Sequence, residues 1–238
     1  MSAQTTLTAW VPPTTQETRP PAIVQLASLA PRPAAVPNSD GVTRPAWVKD
    51  DPVLCDYYDA EWGDPITDEA AMFELLSLLV FQGGLRWRSI LTRRELLRAA
   101  FAGFSVDVLA GWGPREIEQL MVDPGVIHNR RKIAAVLTNA RATLGLRETG
   151  GLVPVVWRHQ PERSPGPESL DDLVDHIPES MALARELRSA GFTMVGPKGC
   201  WALMQASGVV DTNPPEASKR GRSGLWAADG SRTRNAAA

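Results

Sequence analysis

The fold is decided by residues 67–84, which read TDEAAMFELLSLLVFQGG. The opening Thr-Asp-Glu is typical of a helix start, because these side chains cap free amides and place negative charge at the positive end of the helix dipole. The apolar run from Met72 to Phe81 then predicts the body of the helix. Two glycines, Gly83 and Gly84, end it, since glycine is a poor helix former and is favoured just past a helix end.

Helical spacing continues after this segment. Pro114 suits the first turn of a helix, and Ile133, Val136 and Leu137 share one face of another. Further helices are predicted over residues 86–102, 115–122, from 129 onward, 179–190 and 200–208. No segment shows the convincing alternation of apolar and polar residues that predicts a strand, so the predicted fold class is all-α.

The two ends of the chain differ in composition from the middle. Residues 1–43 are rich in Pro, Thr, Ala and Gln, and their Pro runs cannot hold a helix, because proline lacks the amide donor. Residues 214–238 include a Gly-, Ser- and Arg-rich run. Both ends are predicted to be disordered tails around one helical domain at residues 44–213. A docking segment for a partner is the alternative interpretation of the first tail.

Composition leaves the class of partner open. The chain carries 25 Lys and Arg against 27 Asp and Glu, so its net charge of −2 neither requires nor excludes nucleic acid.

Cys55 and Cys200 lie far apart and form neither a disulfide framework nor a paired-cysteine metal motif. No stretch is long and apolar enough to span a bilayer, and the first residues lack a secretory pattern. We therefore expect a cytoplasmic protein that makes no membrane contact.

Residues 117–142 read as a helix, a tight Pro-Gly turn and a second helix that opens with Asn129, Arg130, Arg131 and Lys132. This pattern is typical of a helix-hairpin-helix. A glycine turn allows close backbone approach, and the free amides and dipole at a helix start favour an anion such as a DNA phosphate. The alternative is a core helical hairpin whose basic end is simply solvated.

Motifs of one known family run through the whole helical domain. They include, in order, WVKDDP at residues 47–52, DAEWG at 59–63, QGGLRW at 82–87, GVIHNRRKI at 125–133 and MQA at 204–206. The chain resembles the DNA-3-methyladenine glycosylase I family of the helix-hairpin-helix DNA glycosylases. Any one Trp alone could be an ordinary core residue, but the recurrence of this rare residue at several motif positions makes the resemblance specific.

The resemblance implies an enzyme of base-excision repair. Such an enzyme flips an alkylated base of the 3-methyladenine type out of double-stranded DNA and hydrolyses its N-glycosidic bond, and flipping is easiest at damaged pairs. The implied fold is a helix-hairpin-helix bundle that acts as a monomer without a cofactor. Because 3-methyladenine in DNA is positively charged, the faces of Trp and Tyr rings would favour it over a normal base.

The resemblance also assigns roles to individual residues. The base pocket would be lined by Trp47, Tyr57, Trp62, Leu79 and Trp87. Gly84 and Leu85 would wedge into the gap that the flipped base leaves in the stack. The hairpin residues expected to contact DNA are Gly125, Val126, Asn129, Arg130 and Lys132.

The family's metal clip is missing from this sequence. The positions that hold zinc in the family are occupied by Pro45, Tyr58, Asn213 and Ala217. All four ligands are therefore replaced, and we expect no zinc at this place.

The family's pocket glutamate is also missing, because its position is Leu79. A carboxylate there could stabilise the cationic, sugar-like transition state. The catalytic residue is therefore unassigned. Glu61 is the nearest carboxylate retained in a motif, and a helix-end or hydrogen-bonding role is the alternative for it.

Two functions follow from this mixture of matches and departures. The first is a glycosylase for alkylated bases with altered or reduced activity, because a cationic base departs as a neutral molecule and needs little acid catalysis. The alternative is a catalytically impaired descendant that binds DNA or lesions without cutting. A protein-interaction scaffold would have no reason to keep both the hairpin and the aromatic residues.

Overall fold

The computed structural model describes residues 31–233, and helices account for most of the regular structure there. The α-helices are α1 (Pro52–Ala60), α2 (Glu69–Gln82), α3 (Trp87–Leu91), α4 (Arg94–Ala100), α5 (Val106–Ala110), α6 (Pro114–Val122), α7 (Arg130–Arg147), α8 (Leu152–Trp157), α9 (Pro178–Ser189) and α10 (Pro197–Ala206). The predicted all-α class is confirmed. The helix predicted over residues 86–102 is in fact two helices, α3 and α4, which the turn at Thr92 and Arg93 separates.

Helix α2 forms the centre of the hydrophobic core. Its N-cap is Asp68, whose side chain accepts from the Ala71 amide at 2.9 Å, as the sequence predicts. Helices α3, α7, α8 and α10 all pack against α2. Most of the helix is buried, including Met72, Phe73 and Phe81. A helix that is apolar on all sides must lie inside a protein, so the rest of the domain forms around it.

A small sheet precedes the first helix, where the sequence predicts a disordered tail. Strands β1 (Ala35–Pro37) and β2 (Thr43–Pro45) pair antiparallel. The tail prediction is therefore wrong for residues 31–43, while residues 1–30 lie outside the described part of the chain. The reason is the buried guanidinium of Arg44, which donates to Asp40 at 2.8 Å and to Asp59 at 2.6 Å. These ion pairs hold the hairpin on α1, and composition alone does not reveal them.

The C-terminal segment also differs from its prediction. Residues 214–233 were expected to be disordered, yet they fold back on the domain with little regular structure. Trp226 is only 1% exposed, the Ser218 amide donates to the Thr43 carbonyl at 2.9 Å, and the Ser164 amide donates to the Gly230 carbonyl at 2.8 Å. The buried indole of Trp226 and these long-range backbone hydrogen bonds explain why residues 214–233 are ordered, although the segment is rich in Gly and Ser. Residues 234–238 lie outside the described range.

None of the helices between residues 31 and 233 is long and apolar enough to cross a membrane.

We predict that Trp226→Ala destabilises the whole domain, because this large side chain is fully buried in the fold. Removing a buried Trp costs about 3–5 kcal/mol, which corresponds to a fall in Tm of roughly 10 °C for a domain of this size. Thermal unfolding followed by circular dichroism measures the effect. Leu173→Ala, at a residue that is 55% exposed, is the control and should leave Tm nearly unchanged. Equal Tm values for both variants would show that the C-terminal segment is not part of the fold.

Candidate functional site

The four aromatic residues that the sequence predicts to line a pocket lie in one connected cluster. The ring centroids of Trp47 and Trp62 are 5.1 Å apart, those of Tyr57 and Trp62 are 6.2 Å apart, and those of Tyr57 and Trp87 are 5.4 Å apart. All three contacts are edge-to-face, a geometry that aromatic pairs favour. The sequence prediction that these four residues lie together therefore agrees with the geometry.

Local structure around α1 positions these rings. Asp51 caps the helix by accepting from the Val53 and Leu54 amides, so α1 begins at Pro52, shortly after Trp47 in the sequence. At the other end the Tyr57 carbonyl accepts from the Trp62 amide at 3.0 Å. This bond turns the chain just after α1 and brings Trp62 back against the helix.

The loop after Trp62 is held tightly against the end of α10. The Gly63 amide donates to the Ala206 carbonyl and the Ile66 amide to the Ser207 carbonyl, both at 3.1 Å. Gly208 makes this approach possible, because a Cβ atom there would lie 2.7 Å from the Gly63 carbonyl oxygen. Gly208 also has a φ of +74°, which other residues adopt only with strain. Gly208 thus has a physical role in shaping the site.

A cavity of about 210 Å³ lies beside two of the rings, Tyr57 and Trp87. Charged side chains from Glu61, Asp64 and Arg94 also line it. The remaining lining residues are apolar: Pro65, Ile66, Ala71, Leu75, Leu78 and Ala206. Sequence reasoning missed Asp64 and Arg94, although Asp64 directly follows the DAEWG motif. We call this space the aromatic cavity.

Trp47 and Trp62 do not line the aromatic cavity. Trp62 contacts the Tyr57 ring, and Trp47 in turn contacts Trp62. The structure does not bring Leu79 into the cavity either. Leu79 lines a separate apolar space with Met194, Cys200 and other residues from α2 and α10. Successive residues of a helix point about 100° apart, so Leu79 turns away from the cavity that its neighbour Leu78 lines.

One wall of the aromatic cavity is a network of ion pairs. Arg94 donates to both oxygens of Glu61, at 2.6 and 2.8 Å, and its Nε atom donates to Glu74 Oε1 at 2.6 Å. Arg98 also donates to Glu74, at 2.9 Å. Glu61 is thus a C-terminal cap residue of α1 that is bound to α4. This geometry matches the hydrogen-bonding role that the sequence left open for Glu61.

The rings of the cavity offer hydrogen-bond donors. The indole Nε1 of Trp87 is buried, and no residue between 31 and 233 meets it with full hydrogen-bond geometry. Burial, together with the nearby carboxylate of Glu61, raises the pKa of Tyr57, so its hydroxyl stays protonated at neutral pH; a contact with the Trp87 indole offsets part of this rise. The Tyr57 hydroxyl is thus a weak partner of the indole, which a better-placed acceptor could replace.

The loop from α2 to α3 leads directly to Trp87. Gly84 has a φ of +81°, and the Leu85 amide donates to the Gln82 carbonyl. The Leu85 side chain is 44% exposed. An apolar side chain therefore faces solvent next to the aromatic cluster, as the sequence predicts for a wedge.

Lys132 does not fit the DNA contact that the sequence predicts for it. The residue is only 5% exposed, and its Nζ atom donates to the carbonyls of Phe81 at 2.7 Å and Gly83 at 2.6 Å. The last carbonyls of a helix lack partners and form the negative end of its dipole, so they attract a buried ammonium. The phosphate-binding role of Lys132 is therefore wrong, and its actual role is to join α7 to α2.

The other hairpin residues divide into a buried turn and an exposed end. Asp123 closes the turn by accepting from the amides of Gly125 and Val126, and Val126 is buried, so the amides of these two predicted contact residues are already bonded within the turn. Asn129 caps α7 through the Lys132 amide at 3.2 Å.

The exposed end of the hairpin carries two arginines. Arg130 pairs with Glu118 through two bonds of 2.6 Å. Arg131 is exposed and has no side-chain partner among the described residues. The amides of both arginines also lack hydrogen bonds within that part of the chain. This start of α7 can therefore accept an anion. Arg131, which the sequence analysis does not place among the DNA contacts, is the arginine there without an ion-pair partner among residues 31–233.

The four positions of the family's zinc clip lie buried in this chain. The Tyr58 hydroxyl donates to Asn213 Oδ1 at 2.8 Å, while Pro45 and Ala217 carry no side-chain donor atom. Within residues 31–233 there is also no group of three His, Cys, Asp or Glu side chains that could hold a metal ion. The residues present therefore do not fit zinc.

Comparisons with known proteins agree with these features. A family model described as methyladenine glycosylase matches residues 47–219. DNA-3-methyladenine glycosylase 1 of Escherichia coli (strain K12) is 37% identical over 172 residues, which cover 71% of this chain and 91% of that protein.

Solved structures give the same result. A crystal structure of 3-methyladenine DNA glycosylase I has a TM-score of 0.71 and 35% identity, and the match covers 74% of this chain and 98% of that chain. A Tyr-to-Phe variant of 3-methyladenine DNA glycosylase I in complex with 3-methyladenine has a TM-score of 0.70 and 25% identity, covering 79% and 98%. Since the family model spans most of the chain and the fold agrees, the chain belongs to the methyladenine glycosylase family.

Proposed function

We propose that this protein is a DNA glycosylase that binds an alkylated base of the 3-methyladenine type in the aromatic cavity and hydrolyses its N-glycosidic bond. The observation that carries the proposal is the pair of rings, Tyr57 and Trp87, which line a cavity of about 210 Å³. The related glycosylase crystallised with 3-methyladenine supports the choice of base. From the family resemblance, we propose that a monomer acts on duplex DNA.

The aromatic faces of the cavity suit a cationic base. The rings of Tyr57 and Trp87 attract a cation, and a neutral, undamaged base would gain less from them. The carboxylates of Glu61 and Asp64 also line the cavity, but Arg94 and Lys219 pair with them. The preference for alkylated bases therefore comes from the aromatic rings and not from a net negative charge.

The weakly partnered indole N–H of Trp87 supports a ligand with a hydrogen-bond acceptor. A methylated purine presents ring nitrogens or a carbonyl at its edge, and such an acceptor would satisfy the buried donor better than the Tyr57 hydroxyl does. The Tyr57 hydroxyl, kept protonated by its raised pKa, offers a second donor from the same cavity. Together these groups would fix the orientation of a flipped base.

The loop and the hairpin would hold the DNA. In this proposal Leu85, which lies two residues before Trp87, fills the gap in the base stack that the flipped base leaves. The amides of Arg130 and Arg131 at the start of α7 bind a phosphate in the manner of a helix-hairpin-helix, and such contacts position DNA without reading its sequence. Lys132 supports this arrangement, because its ammonium joins the start of α7 to the Phe81 and Gly83 carbonyls, just before the Leu85 loop.

A second function, lesion binding without cleavage, is favoured by one observation. Leu79 stands where the family has its pocket glutamate, and its surroundings in the structure are apolar. A glycosylase without that carboxylate lacks a group that would stabilise the positive charge of the transition state. Flipping and binding would persist in such a protein, while hydrolysis would be slow.

The first experiment measures base release from methylated duplex DNA by chromatography. We expect the native chain to release 3-methyladenine, and Trp87→Leu to reduce the rate by about 10–100-fold, because base stacking on an aromatic ring contributes about 1–3 kcal/mol. Trp112→Leu is the matched control, since Trp112 is also half-buried but lies outside the cavity. A rate that Trp87→Leu leaves unchanged would contradict the proposed pocket. Binding of methylated duplex without any release would instead support the non-catalytic function.

A second experiment tests the hairpin through the salt dependence of duplex binding. We expect Arg131→Ala to weaken binding to any sequence and to reduce the salt slope by about one, because one phosphate contact is lost. Arg185→Ala, at an exposed residue of α9, should leave both quantities unchanged. We also expect Lys132→Met to lower Tm, because Lys132 is buried between two helices. An unchanged affinity of the folded Arg131→Ala variant would remove the hairpin from the DNA interface.

A further inference from the structure

Tyr58 connects the first helix to the C-terminal segment. The residue lies on α1 and is fully buried. Its hydroxyl donates to Asn213 Oδ1 at 2.8 Å, across a large separation in sequence. Burial raises the pKa of Tyr58 to about 12, so the hydroxyl remains a donor at neutral pH. One hydrogen bond between two buried side chains thus joins the beginning and the end of the domain.

Asp211 arranges the segment that presents Asn213. Asp211 Oδ1 accepts from Asn213 Nδ2 at 2.8 Å, and Oδ2 accepts from the Gly221 amide at 2.7 Å. The guanidinium of Arg220 donates to the Asp211 carbonyl at 2.6 Å and to the Asn213 carbonyl at 3.1 Å. Residues 211–221 are therefore tied into one loop, and Asn213 cannot move independently of it.

Lys219 makes the second connection. Its side chain is buried, and its Nζ atom lies 3.0 Å from Asp64 Oδ1 and 5.8 Å from the centroid of the Tyr58 ring. A buried ammonium needs a compensating charge, and here a carboxylate and an aromatic ring supply it. Asp64 also lines the aromatic cavity, so this ion pair holds one wall of that cavity.

The same place is where the family carries its metal. Of the four clip positions, Pro45 and Ala217 have no donor atom, and the other two, Tyr58 and Asn213, bond to each other. The Ser218 amide donates to the Thr43 carbonyl at 2.9 Å, so the strand that contains Pro45 still meets the segment that contains Ala217. The segments meet as a clip requires, although the metal ligands are gone.

We propose that residues 211–221 form a metal-free clip, in which the Tyr58–Asn213 hydrogen bond and the Lys219–Asp64 ion pair together hold α1 and the cavity wall. The clip gives this chain a zinc-independent version of the fold. It rests on contacts within the domain and does not depend on whether the protein cuts DNA.

The first test uses the native full-length chain without a metal-binding tag. Elemental analysis should find no stoichiometric zinc, and an excess of EDTA should leave Tm unchanged. One zinc per chain, with a Tm that falls on chelation, would overturn the proposal.

The second test breaks each connection in the full chain. We expect Tyr58→Phe to lower Tm by roughly 5 °C, because Asn213 loses its buried partner, and Asp64→Asn to lower it further, because the buried ammonium loses its charge partner. Hydrogen exchange of the amides in residues 58–64 and 213–221 should speed up in both variants by at least about tenfold, which reports opening of this clip.

Asp175→Asn is the matched control for the ion pair. Asp175 pairs with Lys198 at 2.6 Å, but both side chains are more than two-thirds exposed, so its loss should change neither Tm nor exchange. The double variant Tyr58→Phe with Asn213→Leu should lose less than the two single changes combined, because it removes both members of the hydrogen bond. The clip would be refuted if hydrogen exchange in residues 58–64 were unchanged in Tyr58→Phe and Asp64→Asn. It would also be refuted if the loss of Tm in the double variant equalled the sum of the losses in the two single variants.

Discussion

Complete burial of α2 is the constraint on which the rest of the structure depends. An apolar helix has to be covered on every side, and α3, α7, α8 and α10 provide that cover. The carbonyls at its C-terminal end lack partners within the helix, so they need donors from elsewhere in the protein. The ammonium of Lys132 donates to the carbonyls of Phe81 and Gly83, and the start of α7 is thereby fixed to the loop that leads to Trp87.

The aromatic cavity follows from the same packing. Ala71, Leu75 and Leu78 present one face of α2 to the cavity, while α1 and its following turn supply Tyr57 and Glu61. Arg94 connects these elements, because it donates to Glu61 at the end of α1 and to Glu74 within α2. The buried charge of Glu74 is thus compensated, and α1, α2 and α4 are tied together at the wall of the cavity.

Local sequence signals predicted much of this architecture. The Asp68 cap, the apolar run of α2 and the Asn129 cap act over a few residues, so each could be predicted directly. The aromatic cluster could be predicted only through the family resemblance. Lys132 could not, because a lysine in the run Asn-Arg-Arg-Lys looks solvated, and the carbonyls that bind it lie about fifty residues earlier in sequence. The packing of Trp226 was missed for a similar reason, since Gly- and Ser-rich chain is ordered there by distant partners.

The central claim is that the cavity beside Tyr57 and Trp87 receives the base, and the indole N–H of Trp87 reports on it most directly. This donor is buried and has only a weak contact with the Tyr57 hydroxyl among residues 31–233, and a bound base would give it a better acceptor. In an ¹⁵N-labelled full chain, the indole resonance of Trp87 can be assigned by its loss in Trp87→Phe and followed while 3-methyladenine is added. We expect a saturable shift of this resonance, while the indole resonance of the fully buried Trp226 stays unchanged. A Trp87 resonance that does not move at saturating 3-methyladenine would contradict it.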